Sequence, residues 1–128
     1  MILGGGTVDG EQILTRETLR EMAQNHIGGI AVETLKTAMP ALSNDANLFP
    51  GMPQKWGLSF DINMQRGPAG RSAGSIAWAG LFNTYFWVDP NQKVTGVIMT
   101  QLLPFADTHV LDLFAKFESG LYRAVTPA

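Results

Sequence analysis

Between Gly74 and Gln101 the chain lays down three apolar runs, about Ser75 to Gly80, Asn83 to Val88 and Val94 to Gln101, separated by only a few residues each. Connections that short cannot return a strand to the same end of a sheet, since a parallel crossover needs a dozen residues or more. The runs must therefore pair antiparallel. Asp89-Pro90-Asn91-Gln92 between the last two is made of turn formers, and the last run carries apolar residues on both of its faces. Upstream, Trp56, Leu58, Phe60, Ile62 and Met64 alternate with Gly57, Ser59, Asp61, Asn63 and Gln65. That period of two predicts one more strand, with one face in the core and the other in water. Arg66-Gly67-Pro68-Ala69-Gly70-Arg71 turns the chain between this strand and the next, completing an expected four-stranded meander.

Helices are expected at both ends. Thr15 is a good N-cap, Leu14 and Leu19 stand at hydrophobic-staple positions, and Leu19, Met22 and Ala23 share a face, with Gly28-Gly29 as the stop. His26 lies near that helix end, where the dipole favours it. The second helix is predicted from about Thr108 to Val125, capped by Asp107 or Thr108 and burying Val110, Leu113, Phe114, Phe117 and Leu121. Asp112 falls early in it and Arg123 late, as the macrodipole prefers. Trp56, Phe60, Phe86 and Trp87 are expected to form an aromatic core between sheet and helix. From Ile30 to Pro53 the pattern breaks down around Pro40, Pro50, Gly51 and Pro53. A loop that long inside a compact domain is usually functional or mobile.

Composition narrows the function. The 128 residues are 45% hydrophobic and 16% charged, with a formal net charge of −2 and no Lys/Arg cluster, so neither nucleic acid nor an anionic membrane surface is an expected partner. With no cysteine, thiolate catalysis, disulfides and Cys-type zinc sites are excluded, while the compartment stays open between cytoplasm and periplasm. His26 and His109 are isolated and the Asp residues scattered, without metal-ligand spacing, so no metal and no cofactor is expected. The Gly4-Gly5-Gly6-Thr7-Val8-Asp9-Gly10 segment lacks both the dinucleotide fingerprint and the G-K-[ST] ending of a phosphate loop. Met1-Ile2-Leu3 shows no basic n-region with an apolar core, so the N-terminus of a parent protein is expected elsewhere.

One formal catalytic motif is present. Gly70-Arg71-Ser72-Ala73-Gly74 matches G-x-S-x-G, whose serine works from a sharp strand-to-helix turn above a parallel sheet. Here it lies between two predicted antiparallel strands, so Ser72 is expected to be a turn residue. Asp107 and His109 follow it in triad order, but two residues apart they would need an unusual loop to act together.

Trp78-Ala79-Gly80 and the ordered run on to Gln101 resemble the wall strands of the β-lactamase-like serine hydrolases, the group of class C β-lactamases, penicillin-binding proteins, DD-peptidases and family VIII esterases. The resemblance covers nearly the whole chain, from the helix near Leu14 to the terminal helix. It implies an α+β fold: an antiparallel meander of about four strands packed by an N-terminal helix and a long C-terminal helix, with residues 1–128 forming a single C-terminal portion of the β-lactamase/transpeptidase-like domain. In that group the nucleophile belongs to S-x-x-K, assisted by S-D-N or Y-x-N and a K-T-G strand. None of the five serines here has Lys three residues later, and two residues after Tyr85 stands Trp87 in place of the Asn of Y-x-N.

By the resemblance, Trp78-Ala79-Gly80 takes the place of K-T-G and binds substrate together with Asn83, and the Leu81 backbone N–H is one of two oxyanion donors, a group worth about 3 kcal/mol in a transition state. Small residues at 79 and 80 leave room for close approach. An indole in place of the Lys cation turns the expected substrate from a carboxylate-bearing β-lactam to a small neutral acyl ester. The expected partner is the missing N-terminal part of the hydrolase or a second copy, since removing the N-terminal segments leaves an unpaired sheet edge. A second reading is a non-catalytic binding or self-associating module that uses this edge.

Overall fold

The computed structural model describes residues 1–125. A short hairpin opens the chain, β1 (Thr7–Val8) against β2 (Glu11–Gln12), reversed at Asp9 and Gly10, which both hold positive φ. Helix α1 (Arg16–Met22) starts where Thr15 Oγ1 accepts from the Thr18 N–H at 3.0 Å. It ends sooner than the glycines predict. The chain leaves the helix at Ala23, and the His26 N–H donates to the Trp56 carbonyl while its Nε2 lies 2.7 Å from the Glu21 carbonyl oxygen.

The sheet has five strands in sequence order, β3 (Gln54–Trp56), β4 (Asp61–Asn63), β5 (Ile76–Gly80), β6 (Thr84–Asp89) and β7 (Val94–Ile98), every neighbour antiparallel. The α+β meander expected from the sequence is present with one strand more. The alternation from Trp56 to Met64 is not one strand but the facing parts of β3 and β4. Gly57 makes the reversal possible, because a Cβ there would meet the Met22 carbonyl oxygen at 2.2 Å, and the Gly57 N–H closes the turn on the Phe60 carbonyl at 2.8 Å. Nor is the polar half of the alternation wet throughout: Ser59 and Gln65 are exposed, but Asp61 and Asn63 are buried.

The core lies on both sides of the sheet. Ala77, Tyr85, Trp87 and Val94 pack under α2 (Thr108–Val125), against Val110, Phe114 and Tyr122. Ile62, Ile76 and Val88 pack with Phe60 on the other face, against Ile2, Met22 and Ala23. The expected aromatic core is thus divided: Trp87 lies under the helix, Phe60 meets Phe86 edge-on across the opposite face, and Trp56 stands apart from both. Helix α2 is also rotated from its predicted phase. It buries Val110, Phe114, Glu118 and Tyr122, and leaves Leu113 and Phe117 exposed and Leu121 half-buried.

Polar pairing explains the rotation. Arg71, fully buried, makes a two-pronged ion pair with Glu118 at 2.9 and 2.5 Å, and Tyr122 Oη accepts from Trp87 Nε1 and donates to Asp89. A buried guanidinium without that carboxylate would cost several kcal/mol, more than burying Leu113 would return.

Candidate active site

Strand β4 pairs with β5 through Asp61↔Ala77 and Ile62↔Ile76, so among the described residues the outer edge of β5 from Trp78 to Gly80 has no strand beside it. Beyond that edge the Trp78 ring meets Trp56 edge to face, with centroids 4.4 Å apart. The two indoles line a cavity of about 400 Å³ together with the segment after α1, through Leu35, Ala46 and Leu48, and with Phe105. That segment, irregular by sequence, is held as a wall. Leu35 and Ala46 exchange backbone hydrogen bonds at 2.8 and 2.9 Å, Asn44 N–H donates to the Phe105 carbonyl, and Lys55 Nζ donates to the Gly28 and Ile30 carbonyls.

Gln54 and Asp61 are the buried polar members of the cavity wall. Gln54 Nε2 donates to Asp61 Oδ2 at 2.6 Å, while Oδ1 has no hydrogen-bond partner among the described residues. Burial raises the Asp61 carboxyl to about 7, against the opposing pull of the Arg71 guanidinium and the Ile62 N–H. The unpaired side-chain atoms of Asn63 and Ser75 and Arg71 Nη1 are buried in the same part of the molecule. A site walled by indoles and lacking an exposed cation favours neutral, apolar groups over carboxylates.

Strand β5 turns into β6 through Leu81, Phe82 and Asn83, with Asn83 at φ 59°. This is the three-residue hairpin whose last position is left-handed, a conformation Asn tolerates. Leu81 is about half exposed, and its N–H donates to no loop or turn carbonyl among the described residues. Ala79 faces the α2 side of the sheet and packs on its core. At Gly80 a Cβ would meet only Thr84, at 3.8 Å, so nothing in the described residues requires glycine there.

Asn83 stands elsewhere than the sequence suggests. Its side chain is fully buried and saturated: Nδ2 donates to the Leu102 and Pro104 carbonyls at 2.9 and 2.8 Å, and Oδ1 accepts from Tyr85 Oη and the Asp107 N–H. It has no group left for a substrate. Ser72 sits in a turn gathered around Asp89, its N–H donating to Asp89 Oδ2 and its Oγ accepting from Gln92 Nε2. The element that follows it is strand β5, not a helix. Asp107 caps α2 by accepting from the His109 and Val110 N–H groups, and the His109 ring is almost wholly exposed. Sequence reasoning passed over Trp56 and Asp61, because a single alternating run hid the hairpin that brings both to the cavity.

The antiparallel sheet with the terminal helix on one face and an apolar cleft beside the β5 edge is an α+β architecture of the β-lactamase-like kind. Residues 9–120 match the model of the Beta-lactamase family, and the chain belongs to that family. Among solved structures it is similar to simvastatin synthase from Aspergillus terreus: a LovD9 mutant (TM-score 0.73, 24% identity, 88% of this chain and 30% of that one) and the unliganded selenomethionyl form (TM-score 0.76, 18% identity, 99% and 32%). It is also similar to a penicillin-binding protein homologue from Caulobacter crescentus (TM-score 0.56, 18% identity, 92% and 29%). At these identities the likeness is one of fold, and the chain spans about a third of the length of these proteins. No curated protein matches it.

Proposed function

We propose that this chain is the sheet-bearing C-terminal portion of a β-lactamase-related serine hydrolase that transfers neutral acyl groups through an acyl-enzyme. Strand β5 is the wall against which the substrate lies, with Trp78 and Gly80 facing it, Ala79 contributing its backbone at the strand edge and the Leu81 N–H serving as one oxyanion donor. The observation that carries this reading is the unpaired Trp78–Gly80 edge beside the indole-walled cavity. Gly80 supports it further, being small where the chain's own packing does not demand it. No serine here precedes a lysine by three positions, so the nucleophile, its lysine and the second oxyanion donor come from another segment or another chain. Alone, these residues do not turn over an ester.

In the first half of the reaction the attacking serine oxygen bonds to the acyl carbon and the ester C–O bond breaks, the serine's proton passing to the departing oxygen so that the alcohol leaves. Leu81 N–H serves that step by meeting the charge on the carbonyl oxygen, a contribution of about 3 kcal/mol where the donor is held in place. Intact mass measurement after treatment with a fluorophosphonate serine probe tests the reading. The expected adduct lies on a complementing chain and never on these residues; an adduct on Ser72 would sink the proposal. A second reading, a binding or self-associating module, is favoured by the outer edge of β7, which has no partner strand among the described residues and where Val97 and, just past the strand, Met99 are exposed. Light scattering that finds a dimer, with no adduct on any chain, would favour it.

A further inference from the structure

We propose that Asn83 is the positioning residue for the Leu81 amide. The inference rests on the reading in which that amide is an oxyanion donor, and it assigns what sets the donor's direction. An oxyanion donor acts only if it is aimed before the reaction, to within about half an ångström. A three-residue hairpin at a sheet end is ordinarily among the looser parts of a fold. Here it is gripped from one side by the segment that follows β7. The Asn83 side chain makes four hydrogen bonds, all to residues after it: Nδ2 donates to the Leu102 and Pro104 carbonyls, and Oδ1 accepts from Tyr85 Oη and the Asp107 N–H. Thr100 Oγ1 adds bonds to the Phe82 and Asn83 carbonyls at 2.7 and 3.1 Å.

Every one of these bonds falls on Phe82 or Asn83, and none on Leu81. The peptide that carries the proposed donor is thus left free to meet a ligand while the two residues after it are fixed. Asn fits the task on two counts. It accepts the left-handed φ of 59° that ends the turn, and its amide supplies two donors and an acceptor with two lone pairs, all of them used. Asp would keep the backbone preference and the acceptor but lose both donors. Gly would keep the backbone alone.

The two substitutions separate conformation from anchoring. Amide proton exchange and nitrogen–proton spectra of the 128-residue chain are compared with those of Asn83→Asp and Asn83→Gly. The expected result in both variants is a displaced Leu81 amide resonance and at least tenfold faster exchange at Leu102, whose N–H donates to the Phe82 carbonyl, while the Ser72 and Gln92 amides, anchored on Asp89, keep their rates. An unmoved Leu81 amide would overturn the proposal, and so would an equal acceleration at all amides, which is the signature of a merely stabilising core residue. Should both variants fail to fold, Thr100→Ala removes only the hydroxyl grip on the same turn. It should move the Leu81 resonance in the same way, and an unmoved one again overturns the idea. The measurement needs no nucleophile: a moved amide in a probe-silent assembly would sink the acyl-transfer reading alone, and an unmoved amide in a probe-reactive one would sink the positioning role alone.

Discussion

Gly80 and Gly96 show how differently two strand glycines are used. On β7, a Cβ at Gly96 would fall 2.1 Å from the Trp87 ring, a buried indole wedged between the sheet and Phe114 and Phe117. On β5, a Cβ at Gly80 finds only ordinary contact. Packing explains the first and not the second. Gly80→Val should therefore leave the urea midpoint of the chain within about 0.5 kcal/mol of the parent, because valine suits a strand. In the assembled hydrolase the same change should cut labelling by an acyl probe at least tenfold, by standing where the substrate approaches. Loss of stability without loss of labelling would mean that Gly80 serves the fold.

At the scale of elements, the sheet and both helices were legible because short connections and a cap are local facts. Thr15 and Asp107 cap where the sequence puts them, and the strands from Ile76 to Ile98 fall within a few residues of the runs that predict them. What escaped was non-local. A hairpin between two stretches of matching parity preserves an alternation, so β3 and β4 looked like one strand. The phase of α2 is decided by Arg71, forty-seven residues before its partner Glu118, and a lone arginine in a glycine-rich turn announces nothing. That pair is also held under aromatic faces, with the Arg71 guanidinium 4.5 Å from the Phe49 ring and 5.2 Å from Trp87. Glu118→Ala strands a buried cation and should cost about 3–5 kcal/mol by chemical denaturation. The double change Arg71→Met with Glu118→Leu should cost much less. Equal losses in the two would show that α2 is seated by its apolar residues.

For the whole molecule, two buried carboxyls set opposing demands on pH. At Asp89, burial pushes the carboxyl up, but hydrogen bonds from the Ser72 and Gln92 N–H groups, the Ser72 hydroxyl and Tyr122 outweigh it and hold the group below its ordinary value. Its contribution is present above the usual carboxylate range and is lost as pH falls through the lowered value. Asp61 runs the other way. Raised to about 7, it binds a proton in the folded chain that the unfolded chain has released, so stability declines as pH rises from about 4 to about 7 and stays reduced above that. The charges near it are Arg71, which pulls its value down, and Glu33, exposed on the same cavity wall. The chain should thus be most stable near pH 4 to 5 and lose about 2–4 kcal/mol by pH 8. Asp61→Asn, neutral throughout, should flatten that decline and leave the acid limb governed by Asp89 intact. Urea midpoints at pH 4.5 and pH 8 decide it: an unchanged slope in the variant would mean that Asp61 stays ionised in the folded chain, and that the cavity beside Trp78 carries a fixed negative charge that repels carboxylate substrates and not only disfavours them.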